Sequence, residues 1–157
     1  MFIKEVEDGR KGRSKGLPLG LTKLAGFIKN IQKKTYYVIG APQKTGKTAI
    51  TDDMFILSPY SINPEANVKW IYFSLEVDLI EKMAKYCAYF MDKKYGVYCD
   101  SNYILSRGDD TISEEHLRMV KEVYTNELRD LFGEYDKNGK LTKEGKIIFH
   151  QDKIHPE

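Results

Sequence analysis

The run Gly40-Ala41-Pro42-Gln43-Lys44-Thr45-Gly46-Lys47-Thr48 constrains this chain more than any other stretch, because of what flanks it. The apolar segment Tyr36-Tyr37-Val38-Ile39 stops at its first glycine, and helix-compatible Ala49-Ile50 follows its threonine. Strand, glycine-bounded loop and helix in that order form a phosphate cradle: the glycines allow a tight path, and the amides at the helix start meet an anion at its positive end. In such a loop Lys47 reaches the β- and γ-phosphates and the Thr48 hydroxyl ligates Mg²⁺. The nucleotide-binding residues predicted are therefore Gly40, Ala41, Pro42, Gln43, Lys44, Thr45, Gly46, Lys47, Thr48 and Ala49. The plainer alternative, a Gly/Lys-rich surface turn, explains the lysines but not why a β-branched and aromatic run ends at Gly40.

The remaining pattern places this loop in an α/β fold. At 157 residues the chain fits one domain with a central sheet and flanking helices. Residues 1–16 carry glycines among charges and are predicted to be a flexible basic arm, with the domain over 17–157. Leu21, Leu24, Ala25, Ile28 and Ile31 fall at helical spacing. Thr35 to Ile39 reads as a strand, and a helix from Gly46 or Lys47 is expected to reach about Leu57 before Pro59. Val68 to Ser74 reads as a second strand, Asp78 to Lys93 as a helix with a core-facing stripe, and Lys146 to His150 as a third strand. A capped helix precedes that last strand, with Thr111 or Ser113 as its cap, and Asn138-Gly139 marks a turn. This order predicts a mainly parallel sheet, whose ligands sit at the carboxyl ends of the strands.

Hydrolysis needs a group that orients or deprotonates water, and Glu76, just past the second strand, is the candidate catalytic residue beside Lys47. The residues leave open a second reading, in which Glu76 only complements the dipole of the following helix.

Taken together, Gly16-Leu17-Pro18-Leu19-Gly20 with Leu24, the loop Gly40 to Thr48, and Ser74-Leu75-Glu76-Val77 resemble the RecA-like P-loop ATPase domain of DnaB-type replicative helicases, phage versions included. The resemblance spans about residues 16 to 152, carried in its final third by element order only. It implies a RecA-like fold, ATP and Mg²⁺ as cofactors, Glu76 as catalytic base, and translocation on single-stranded DNA within a homo-oligomeric ring. That family continues with a Walker B strand ending in Asp, DNA-binding loops and a cationic finger for the neighbouring subunit. No such run is read after the Glu76 strand, so the resemblance implies the N-terminal half of the domain. An incomplete parallel sheet exposes apolar surface and strand edges, which predicts a partner chain or self-assembly and weak or absent hydrolysis by the chain alone.

Two other functions stay open. One is a non-hydrolysing nucleotide-binding module with a structural or regulatory role; the other is a small P-loop kinase, which the early Ser-Leu-Glu strand and missing lid disfavour. The net charge of +2 makes no claim on nucleic acid, but basic residues outnumber acidic ones from Lys4 to Lys34. That stretch reads equally as a DNA-contacting arm or as a solvated face. Cys87 and Cys99 lack metal-ligand spacing and are expected to be reduced thiols. No apolar run has membrane-spanning length and no secretory segment opens the chain, so a cytosolic protein is expected, in the host if phage-encoded. Glu134, Asp136, Asn138 and Gly139, followed by Leu141 and Thr142, superficially fit a calcium loop with glycine at its sixth place, yet Gly145 stands where a bidentate Glu is required, so a polar turn is the better account.

Overall fold

The computed structural model describes residues 1–13, 15–28 and 30–151. The chain divides into two compact units, Met1–Asn67 and Val68 onward.

In the first unit, helix α1 (Phe2–Arg10) replaces most of the flexible arm expected over 1–16. Phe2, Ile3 and Val6 share a helical face, and Glu5 in the first turn and Arg10 in the last complement the helix dipole. None of its residues is buried, so local sequence rather than packing makes this helix. Helix α2 (Thr22–Ala25) is shorter than the spacing of Leu21 to Ile31 suggests, because the chain turns at Gly26 and brings Ile31 back into an antiparallel bridge with Leu17. Leu19, between these elements, is buried with Met54, Ile56, Leu57 and Tyr60.

The helix after the glycine-rich loop passes its expected end. It runs as α3 (Lys47–Asp52), a π-helical turn (Asp53–Leu57) and α4 (Ser58–Ile62). Proline within a regular helix lacks an amide and crowds the carbonyl four residues back; the wider turn just ahead of Pro59 opens that spacing, so the helix continues through it. Residues 35–39, expected to be a buried strand, pair with no strand among the described residues. Tyr36 and Val38 are 91% and 77% exposed, while the Tyr37 ring packs 5.4 Å from Phe55 and its hydroxyl accepts the Gln32 amide at 3.0 Å. Exposure alternates from Tyr36 to Ile39 where a buried run was expected, because among the described residues no neighbouring strand makes the segment part of a ladder.

The second unit holds the sheet. Strand β1 (Trp70–Ser74) and strand β4 (Ile147–Gln151) pair in parallel, with Trp70 opposite Ile147 and Ser74 opposite Gln151. Parallel neighbours need a long crossover, here made by α5 (Leu79–Tyr95), α6 (Ser101–Ile104) and a continuous helix of α7 (Glu114–Val123), a π-helical turn (Tyr124–Leu128) and α8 (Arg129–Phe132). Asp78 caps α5 by accepting the Glu81 amide at 2.7 Å. Ser113, the second of the two candidates, caps α7 by accepting the His116 amide at 3.2 Å. Ala84, Cys87 and Met91 of the predicted stripe are buried, joined by Tyr86 and Phe90, and the Tyr86 ring meets Phe132 at 5.2 Å.

Between the long helix and β4 lies a hairpin, β2 (Gly133–Tyr135) and β3 (Leu141–Glu144), turning at the predicted Asn138-Gly139. One Asp136 carboxylate oxygen accepts the Asn138 and Lys140 amides at 2.8 and 2.9 Å, so its lone pairs serve the turn. One face of the β1–β4 pair carries Trp70, Tyr72, Ile147 and Phe149, with Tyr72 stacked on Phe149 at 5.4 Å. The opposite face presents Ile71, Phe73 and Ile148 to solvent, Phe73 being 71% exposed and stacked on His150 at 5.0 Å. Of the three strands expected to form one mainly parallel sheet, two pair here, and one face of that pair is apolar and exposed.

Candidate nucleotide-binding site

The loop from Gly40 to Thr48 sits wholly in the first unit, and every residue from Gly40 to Ile50 is exposed. Two local devices shape it. Thr45 donates its hydroxyl to the Pro42 carbonyl at 2.8 Å, stapling the loop across its middle. Gly46 then takes a left-handed conformation, φ +83°, which a side chain would disfavour, and the helix starts at Lys47. Lys44 also lies at φ +60°.

The first intrahelical bond runs from the Ile50 amide to the Gly46 carbonyl at 3.0 Å. Among the described residues, the amides of Gly46, Lys47, Thr48 and Ala49 donate to no backbone carbonyl. They are the orphan donors that a helix start offers to an anion, and here they follow a left-handed glycine in open solvent. The threonine hydroxyls divide by task. Thr45 is committed to Pro42 and Thr51 to the Lys47 carbonyl at 2.8 Å, whereas the Thr48 hydroxyl has no bond among the described residues. Thr48 is thus the one of the three whose oxygen is open to a cation, as its place in the motif requires. Mg²⁺ in such a site would be held by that hydroxyl, phosphate oxygens, water and a single Walker B carboxylate rather than by a cluster of protein carboxylates. Among the described residues no group of three or more His, Cys, Asp or Glu is placed to hold a metal ion.

Glu76 lies in the second unit, at the carboxyl end of β1 as predicted. It is exposed, and among the described residues its carboxylate takes no hydrogen bond or ion pair. The duties of a helix-start acid fall on neighbours: Asp78 is the cap of α5 and Glu81 the acid of its first turn. Glu76 stands two residues before the cap, outside the first turn of α5.

Ser74 is a residue whose part sequence reasoning missed. Its hydroxyl, on a side chain in a residue only 7% exposed, donates to the Val77 carbonyl at 2.6 Å and accepts the Val77 amide at 3.0 Å. A serine three residues ahead of the amide it binds is a recognisable turn signal, and that signal was present in Ser74-Leu75-Glu76-Val77. Thr45 was placed in the loop by its motif, but its stapling bond could not be read from spacing.

Several other polar groups are engaged with neighbouring side chains. A cleft formed by Thr125, Arg129, Asp130, Glu134, Lys143 and Glu144 is crossed by the pairs Arg129–Glu134 at 2.6 Å and Lys143–Glu134 at 3.4 Å. The Arg129 guanidinium bonded to it holds the Glu134 carboxyl below its ordinary value, with Lys143 adding to the effect. His116 shares a 2.9 Å hydrogen bond with the Tyr103 hydroxyl, tying α6 to α7. Burial, with smaller contributions from nearby Cys99 and Glu127, pushes the Cys87 thiol up to about 12. No helix among the described residues is long and apolar enough to cross a membrane. The chain matches no protein-family model, no curated protein and no solved structure.

Proposed function

We propose that the chain binds Mg-ATP through Gly40 to Ala49 and serves as the ATP-binding module of a replicative DNA helicase, coupling hydrolysis to movement on single-stranded DNA. The observation that carries the nucleotide reading is the passage from left-handed Gly46 into a helix whose first amides, and whose Thr48 hydroxyl, are unengaged. In this reading the loop amides and Lys47 cradle the phosphates, and Thr48 holds the cation. Bound Mg²⁺ neutralises charge on the β- and γ-phosphates. Glu76 takes a proton from the attacking water, a role its open carboxylate at a strand end supports. The helicase class, the RecA-like fold, the ring and the DNA partner rest on the resemblance through Gly16 to Gly20, the loop and Ser74 to Val77. The basic excess from Lys4 to Lys34 is consistent with a DNA partner.

Titration with a fluorescent ATP analogue tests the site. Lys47→Ala should weaken binding about 10- to 100-fold, the worth of a charge-assisted bond to phosphate. Unchanged affinity would sink the loop assignment. Glu76→Gln should keep binding and lower single-turnover hydrolysis about 10²- to 10⁴-fold. Tight binding with no hydrolysis by the wild-type chain, either alone or with candidate partner chains, would instead favour the non-hydrolysing module.

A further inference from the structure

The bare face of the β1–β4 pair and the exposed side of α1 are apolar surfaces with nothing to show what covers them; the more pointed observation lies at the end of β1. Between buried Ser74 and half-buried Val77, the chain makes an excursion of two residues, Leu75 and Glu76, both exposed. One hydroxyl closes it. Ser74 Oγ donates to the Val77 carbonyl and accepts the Val77 amide, so both polar backbone groups of the residue after Glu76 are tied to the residue two before it. The anchor is rigid on either side. Ser74 pairs with Gln151 as the last rung of the parallel ladder, and Val77 precedes Asp78, which caps α5. The Glu76 carboxylate itself makes no bond among the described residues, so nothing at its own tip sets its position.

We infer that Ser74 is a positioning residue for Glu76: its two bonds to Val77 fix the turn from which the carboxylate projects. This rests on the proposed role of Glu76 in hydrolysis. The physical reason is that an exposed carboxylate on a loose turn samples many placements, while one on a closed turn is held near a single geometry. Positioning errors of an ångström can cost a reaction about 10²-fold. Alanine at position 74 removes both bonds and leaves the Val77 amide and carbonyl to water, freeing the turn while the phosphate loop, in the other unit, keeps its own structure.

The test is a mutant cycle on the full chain, with single-turnover ATP hydrolysis and fluorescent-nucleotide affinity measured for each variant. Ser74→Ala should slow hydrolysis about 10- to 100-fold with affinity unchanged within about twofold. Ser74→Thr, which keeps the hydroxyl, should restore most of the rate. In the Glu76→Gln background Ser74→Ala should cost nothing further, because the group it positions is gone. Ser74→Cys keeps the volume and weakens both bonds, and it stands in should alanine prevent folding. A wild-type rate in Ser74→Ala and Ser74→Cys, an equal loss in the Glu76→Gln background, or a parallel loss of affinity overturns the positioning role. If Glu76→Gln hydrolyses like wild type, or the wild-type chain does not hydrolyse even in its assembly with candidate partner chains, the role of Glu76 fails first and this inference falls with it.

Discussion

Gly145 shows how much a single position can hold. A Cβ there would overlap the Gly133 amide and the Leu131 carbonyl, because the chain leaving the hairpin passes directly against the end of α8. Gly145→Ala should therefore destabilise the second unit by about 1–3 kcal/mol, the cost of overpacking, seen as a lower denaturation midpoint. From sequence, Gly145 was informative only as the wrong residue for a calcium loop; its reason is steric, and a steric reason requires knowing what lies opposite. Cys87 makes the second case. With its thiol pushed up to about 12 by burial, it holds almost no thiolate near neutral pH. Native protein at pH about 8 should leave Cys87 unmodified by a disulfide reagent, and denaturant should expose it. Rapid modification without denaturant, located by mass spectrometry, would contradict its burial.

Among the elements, the β2–β3 hairpin is held by charge as well as by its ladder. Glu134 accepts from Arg129 and pairs with Lys143, and its pKa lies below the ordinary 4.5. A depressed folded pKa means that the ionised form favours the native state. The contribution is complete above the ordinary value and is lost as pH falls through the folded one. Denaturation midpoints should drop as pH is lowered below about 4.5, and Glu134→Gln should flatten that dependence. An equal acid slope in both proteins would assign the sensitivity elsewhere. The helices were the most legible elements, since Asp78 and Ser113 act as caps and Ala84, Cys87 and Met91 of the α5 stripe are buried, although Ile80 at its start is exposed. Their interruptions were not: proline predicts a helix end, and only the π-helical turn at Asp53–Leu57 lets the helix continue past Pro59. The hairpin strands were also missed, because Gly133 to Tyr135 and Leu141 to Glu144 are short, and exposed charged residues dominate the second.

For the whole molecule, two units mean two stabilities that ligand and mutation can separate. Nucleotide at about 100 times its Kd should stabilise the unit containing the loop by about 2.7 kcal/mol. Met91→Ala, which empties a wholly buried position in α5, should cost the other unit about 2–5 kcal/mol. Calorimetry with and without Mg-ATP should show the two effects in different transitions, if the units unfold separately, or summed in one if they are cooperative. By itself the sequence determined the features that depend on neighbours along the chain. These are the glycine, lysine and threonine spacing of the loop, the helix caps, the β-branched and aromatic runs of β1 and β4, and the placement of Glu76 at a strand end. Tertiary structure decided what depends on distant partners. It paired β1 with β4, left Tyr36 to Ile39 without a strand neighbour, and buried the Ser74 hydroxyl where it closes the turn at Glu76. The division follows from range: a cap or a loop is satisfied within a few residues, whereas a strand or a buried hydroxyl is defined by whatever the fold brings to it.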